Sequence, residues 1–236
     1  FIIYSIQGYL FYTKSSDKQL KEKIKIYKKE TGKEFDLRNK FEVYKSYIKQ
    51  KKNVSIVFNS EATQNIKPLS GMSNIETIFC NENGEYAVYN SDRYGFNNPD
   101  AEWSKKDIEF LIVGNSFAQG SCVNRPNDIA SVLRKLSEKS VLNLGYRYNG
   151  PLSEYAILRE YLVPNVKKIL WLYSEDNDLH ILNKELNSSI LKQYLTNENF
   201  TQNLKDKQNI INNFLNLKIK EKHIVSKRQK LFNFIK

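Results

Sequence analysis

One stretch constrains this chain more than any other: Phe110 to Gly120, Phe-Leu-Ile-Val-Gly-Asn-Ser-Phe-Ala-Gln-Gly. An apolar run beginning at Ile108 ends abruptly in Gly114-Asn115-Ser116, and a helix-compatible segment follows. That pattern reads as a buried parallel strand, a tight turn and a helix N-terminus. Ser116 then sits at the carboxyl end of a strand, where open α/β sheets bind ligands. The unpaired N–H groups of the helix start lie beside it and suit an anion or a developing oxyanion. A glycine turn with a serine helix cap accounts for the same residues equally well.

The segments after it repeat the alternation. Strands are expected at Ile108–Val113, Val141–Leu144 and Val166–Tyr173. Between them the spacing predicts a helix over Asp128–Ser137, with Ile129, Val132, Leu133 and Leu136 inward, and one over Leu152–Leu162, with Tyr155, Leu158 and Leu162 inward. Strand–helix alternation argues a parallel sheet with helical crossovers. Upstream, Lys14–Glu34 reads as a solvated helix or linker. Asp36–Lys51 reads as a helix with Leu37, Phe41, Tyr44 and Ile48 on one face, and Val54–Phe58 as a short strand. Thr77–Cys80 and Tyr86–Tyr89 flank Asn83-Gly84, a hairpin signal. Beyond Asp178 the chain turns helical, with a second amphipathic helix over Leu204–Ile219. We find no internal repeat, zinc-ligand spacing, P-loop or GxGxxG, and expect no cofactor and no metal.

At 236 residues, 40% hydrophobic, the chain has enough material for one full core. Its charge of +11 suggests nucleic acid, anionic lipid or an acidic glycan as partner. Lys far outnumbers Arg and no nucleic-acid motif accompanies it, so a lysine-biased composition is the preferred account and no nucleic-acid partner is expected. The chain lacks an initial Met and stops inside a basic segment, so it reads as a fragment. Phe1–Tyr12 is apolar and aromatic but too short to span a bilayer, which takes about 20 residues. We read residues 1–13 as the remnant of a membrane anchor, 14–53 as a basic helical spacer, and 54–236 as an α/β domain incomplete at its C-terminus. An ordinary buried helix is the alternative for the first segment.

Three successive strands end in Gly114-Asn115-Ser116, in Asn143-Leu144-Gly145 and shortly before Glu175-Asp176-Asn177-Asp178. Their order and spacing resemble the SGNH, or GDSL-type, hydrolase family. Its first block, Gly-Asp-Ser, is matched by Gly114-Asn115-Ser116-Phe117 with Gly120. The glycine of its second block is matched by Gly145, and its Gly-x-Asn-Asp block in part by Glu175–Asp178. The preceding Ser91–Pro99 looks like the Asp-x-x-Gly-Phe-Arg/Asn-Asn-Pro lead-in of bacterial members linked to surface-polysaccharide modification. The resemblance covers roughly Ile108–Leu179. It implies a three-layer α/β sandwich, flavodoxin-like, with Ser116 as nucleophile. The oxyanion hole would come from the N–H groups of Ser116 and Gly145 and the carboxamide of Asn177. Asn115 and Asp178 are the expected substrate-binding residues. The implied substrate is a carbohydrate or acylated small molecule, and the implied location the extracytoplasmic side of a membrane.

Asn115 stands where the family has Asp, and Asp176 where it has Gly. The family's Asp-x-x-His block has no match; the two histidines are His180 and His223. A serine without a base is a poor nucleophile. Cys80 and Cys122 flank the site, and we expect a bridge clipping the hairpin to the nucleophile loop, which fits an oxidising compartment. Two buried thiols are the alternative. Three functions stay open: a tethered esterase or O-acyltransferase, a non-catalytic binding module of the same fold, and a phosphate-binding doubly wound domain. The last is weakest, because its loop carries only two end glycines.

Overall fold

The computed structural model describes residues 18–50, 52–59 and 66–234. The expected anchor at 1–13 and the start of the spacer lie outside the described residues. A helix over 18–31 (α1) precedes α2, Lys40–Lys49. The Asn39 side chain accepts from Glu42 N–H while the Glu42 carboxylate accepts from Asn39 N–H, a reciprocal cap that starts α2 where it does. Val43 and Tyr44 are buried. Leu37 and Ile48, expected on the same face, are exposed.

Among the described residues two three-stranded sheets follow. The first orders β1 (Val54–Ile56), β2 (Glu76–Ile78) and β3 (Val88–Asn90); β1 runs parallel to β2, and β2–β3 is the antiparallel hairpin. The second is parallel throughout. Its central strand β4 (Ile108–Gly114) pairs with β5 (Val141–Asn143) on one side and β6 (Val166–Leu172) on the other. The chain is thus an α/β protein with helices on both faces of this sheet. On one face lie α3 (Ser116–Gln119) and α4 (Ile129–Ser137); on the other lies α5 (Pro151–Tyr161). Then come α6 (Glu175–Glu185), α7 (Ser189–Thr196) and α8 (Gln208–Phe234). Ile211, Leu215 and Ile219 of α8 close the main core. Among the described residues no helix is long and apolar enough to cross a membrane.

Two helices turn different faces inward from those their spacing predicts. In α4 only Ala130 is fully buried; Ile129, Val132 and Leu136 are exposed, and Leu133 is partly covered. Nothing among the described residues packs outside α4, so its apolar stripe stays in solvent. In α5 the inward positions include Glu154 and Glu160, while Tyr155 and Leu162 point out. Distant groups meet both buried carboxylates, Glu160 at both oxygens and Glu154 at one. Tyr194 and Thr201 hydroxyls and the N–H groups of Gln202 and Leu204 donate to Glu160, and Trp171 Nε1–H donates to Glu154 at 2.6 Å. A third carboxylate, Glu185 at the end of α6, accepts from Gly150 and Leu152 N–H at 2.9 Å each and from Ser153. It caps α5 from outside, where Gly150 offers no side chain.

Candidate functional site

The site begins where β4 ends. Gly114 lies between β6 and α3: a Cβ there would come within 2.8 Å of Leu172 O and 2.9 Å of Ala118 Cβ. Asn115 caps α3, its Oδ1 accepting from Phe117 N–H at 3.0 Å. Ser116 is therefore the first residue of a one-turn helix, half-buried at the carboxyl end of the central strand. Gly120 ends that turn in the left-handed conformation, φ 90°.

The other two blocks meet the first. Asn115 Nδ2 donates to Asp178 Oδ1 at 3.0 Å, and Asp178 Oδ2 accepts from Ser174 N–H at 2.6 Å. Asn115 and Asp178 are both buried, so this bond ties the start of α3 to the start of α6. Asn115 is the right partner for it: an aspartate there would set two carboxylates against each other out of water, and one would have to stay protonated. Gly145 abuts α3, since a Cβ on it would fall 2.5 Å from Ala118 Cβ and 2.5 Å from Gln119 N. Its N–H donates to Asn143 Oδ1 at 2.8 Å. Asn177 lies on α6 one residue before Asp178, at the same end of the sheet. Ser116, Gly145 and the first turn of α6 thus all lie at the carboxyl ends of the three parallel strands. Among the described residues no side chain hydrogen-bonds to the Ser116 hydroxyl. His180 is exposed on α6, and His223 lies on α8.

Behind this surface is a brace of carboxamides and one carboxylate. Asp92 is fully buried and accepts four bonds: Tyr94 and Phe96 N–H at 2.9 Å, Asn98 Nδ2 at 2.8 Å and Trp103 Nε1 at 2.7 Å. Burial raises its pKa and the four donors oppose that rise. Asn98 then pairs with β5 as a strand would: its Oδ1 accepts from Asn143 N–H and its Nδ2 donates to Asn143 O, both at 2.8 Å. Asn143 Nδ2 reaches Ala118 O at 2.7 Å, and Asn97 Nδ2 reaches Gln119 O at 2.9 Å. The Ser91–Pro99 segment thereby holds β5 and α3 in register.

Gln119, which the sequence reading did not single out, joins three elements. Its Nε2 donates to Tyr89 OH at 2.9 Å, and its Oε1 accepts from Arg147 N–H at 2.7 Å. Cys80 and Cys122 are disulfide-bonded, Cα atoms 4.9 Å apart, and staple the hairpin of the first sheet to the loop after Ser116. Asn124 and Arg125 continue the strap to β3, through Val88 N–H at 2.8 Å and Asn90 O at 2.7 Å.

Glu154 of α5 is a second acid with a raised pKa. Burial pushes its carboxyl up to about 8; the Trp171 N–H opposes the rise, and the charges of Asp178 and Glu185 add to it. Its Oε1 is buried without a hydrogen-bond partner. No group of three His, Cys, Asp or Glu among the described residues is placed to hold a metal ion. No family model matches the chain, and no curated protein or solved structure matches it.

Proposed function

We propose that the chain is an SGNH-like serine esterase or O-acyltransferase acting on a cell-surface carbohydrate, built on that family's three-layer sandwich. The observation that supports this best is the Asn115–Asp178 bond, which joins the first and third blocks beside Ser116. In this reading Ser116 Oγ attacks the ester carbonyl carbon and gives its proton to a base. The carbon–oxygen bond to the alcohol breaks, the alcohol leaves protonated, and water or a sugar hydroxyl takes the acyl group from the serine. The oxyanion donors are the Ser116 N–H and the Asn177 carboxamide, each worth roughly 2.7–4 kcal/mol in the transition state. Gly145 contributes room for α3, because its own N–H is engaged by Asn143. The base is a histidine that the described residues do not bring to Ser116. The Cys80–Cys122 bridge suits an oxidising, extracytoplasmic setting.

A non-catalytic binding module of the same fold is the second reading. The engaged Gly145 N–H favours it, as does a Ser116 hydroxyl that no side chain among the described residues hydrogen-bonds. Turnover of an acetylated oligosaccharide by the full-length protein separates the two. The esterase reading expects Ser116→Ala to remove turnover and leave saccharide binding intact. Saccharide binding with no turnover, unchanged by Ser116→Ala, establishes the binding module instead.

A further inference from the structure

The chain carries three Asn-x-Ser/Thr sequences: Asn53-Val54-Ser55, Asn187-Ser188-Ser189 and Asn199-Phe200-Thr201. With no proline in the middle, each is an acceptor pattern for an N-linked oligosaccharide. Transfer to a folded chain needs two groups within reach at once. One is the asparagine carboxamide; the other is the hydroxyl two residues on, which the transferring enzyme reads by hydrogen bonding. The fold separates the three sequences on this ground. Ser55 is the middle residue of β1, 1% exposed, and its hydroxyl is bonded to Met72 Sδ at 3.2 Å. The Thr201 hydroxyl donates to the buried Glu160 and accepts from Asn203 N–H, both at 2.9 Å. Phe200 before it is held as well: its ring packs on Tyr194, centroids 4.8 Å apart, and its carbonyl accepts from Arg159 at 2.9 Å. Asn187 differs from both. It lies in the turn between α6 and α7, and it and Ser189 are exposed. Its carboxamide makes one long bond, Nδ2 to Asn183 O at 3.3 Å. Among the described residues nothing hydrogen-bonds to the Ser189 hydroxyl. Ser188 turns its own Oγ to cap α7 through Leu191 N–H. The turn also stands clear of the candidate site, past the far end of α6 from Asp178 and about 13 Å along the helix axis. A bulky, hydrated group there would meet solvent and leave Ser116 open.

We propose that Asn187 is an N-glycosylation site, loaded from an oligosaccharide carried on a lipid diphosphate. Asn187 Nδ2 attacks the anomeric carbon of the sugar; the C–N bond forms and the anomeric C–O bond breaks. The lipid diphosphate leaves as the anion, and the carboxamide gives up one proton. The inference needs the extracytoplasmic setting that the Cys80–Cys122 bridge suits, and it does not need the esterase reading. The test is mass mapping of tryptic peptides from the full-length protein purified from its native cells. Trypsin cuts after Lys184 and Lys192, so the peptide of residues 185–192 holds Asn187 apart from Asn53 and Asn199. That peptide is expected to carry one oligosaccharide, on Asn187, with Asn53 and Asn199 bare. Asn187→Gln and Ser189→Ala should each remove the oligosaccharide, and Ser189→Thr should keep it. All three variants should keep the parent's circular dichroism spectrum, since neither exposed side chain supports the fold. Ser116→Ala should keep the oligosaccharide, so loss of the esterase reading leaves the site standing. A bare Asn187, an oligosaccharide on Asn53 or Asn199 instead, or one that survives Ser189→Ala overturns the proposal.

Discussion

The two faces of the parallel sheet are finished differently. On the α5 face, Ile108, Leu111, Val113, Leu142 and Leu144 meet Leu152, Ala156, Ile157 and Tyr161 in a core shared with the first sheet and α8. On the α4 face the buried set shrinks to Ile112, Ala118, Ala130 and Val141, and Leu136 is 78% exposed. The edges differ in the same way. Asn98 occupies the free edge of β5 with a pair of side-chain hydrogen bonds. β6 has no further strand among the described residues, and its Ile169 and Trp171 are about half exposed. Ser116 and Asn115 sit where the closed and open halves meet. Rigidity there comes from the braced half: the Asp92–Asn98–Asn143 chain, Gln119, and the disulfide. Ser116 itself is half-buried there.

The largest expected effect lies in the brace. Asp92→Ala strands four donors, two of them side chains, in a site with no water access. It should destabilise the protein by roughly 3–5 kcal/mol in urea denaturation. A loss below 1 kcal/mol would show that the loop holds its shape without the carboxylate and remove the contrast between the edges.

A smaller and pH-dependent effect is expected at Glu154. Its folded pKa of about 8 exceeds the ordinary 4.5, so between those values the folded protein keeps a proton that the unfolded chain has released. Stability therefore falls as pH rises through that window and is flat on either side. Asp92, also raised, contributes in the same direction, so the assignment requires the variant. Glu154→Gln should flatten the profile and be more stable than the parent at pH 8 by roughly 1–3 kcal/mol. Identical profiles for parent and variant would place the titration elsewhere. The smallest effect belongs to the open face: Leu136→Lys should change stability by no more than about 0.5 kcal/mol in thermal melts. A loss of 2 kcal/mol or more would mean that α4 is covered in solution.

How much of this is legible in the sequence depends on the range of the interactions involved. The apolar runs at 108–113, 141–144 and 166–173 place β4, β5 and β6 to within a residue at their ends, because a buried parallel strand is a local signal. The hairpin is legible from Asn83-Gly84 for the same reason. Periodicity finds α4 and α5 but cannot say what lies against them. In α5 it selects Tyr155 and Leu162 over Glu154 and Glu160, whose burial depends on Trp171, Tyr194 and Leu204, between 17 and 44 residues away. The parallel pairing of β1 with β2 and the capping of α5 by Glu185 are hidden likewise. At the site, the positions of Ser116 and Gly145 are legible from glycine turns after strands. The engagement of Gly145 N–H by Asn143 is not, since it depends on an Asn143 rotamer that the Ala118 carbonyl holds in place.

The central claim is that Ser116 is a nucleophile. Labelling the full-length protein with a serine-reactive fluorophosphonate, followed by mass mapping of the peptide spanning residues 110–125, tests it most directly. The account predicts one adduct, on Ser116, absent from Ser116→Ala and slowed by an acetylated oligosaccharide. No adduct on Ser116, or equal labelling of parent and Ser116→Ala, would contradict it.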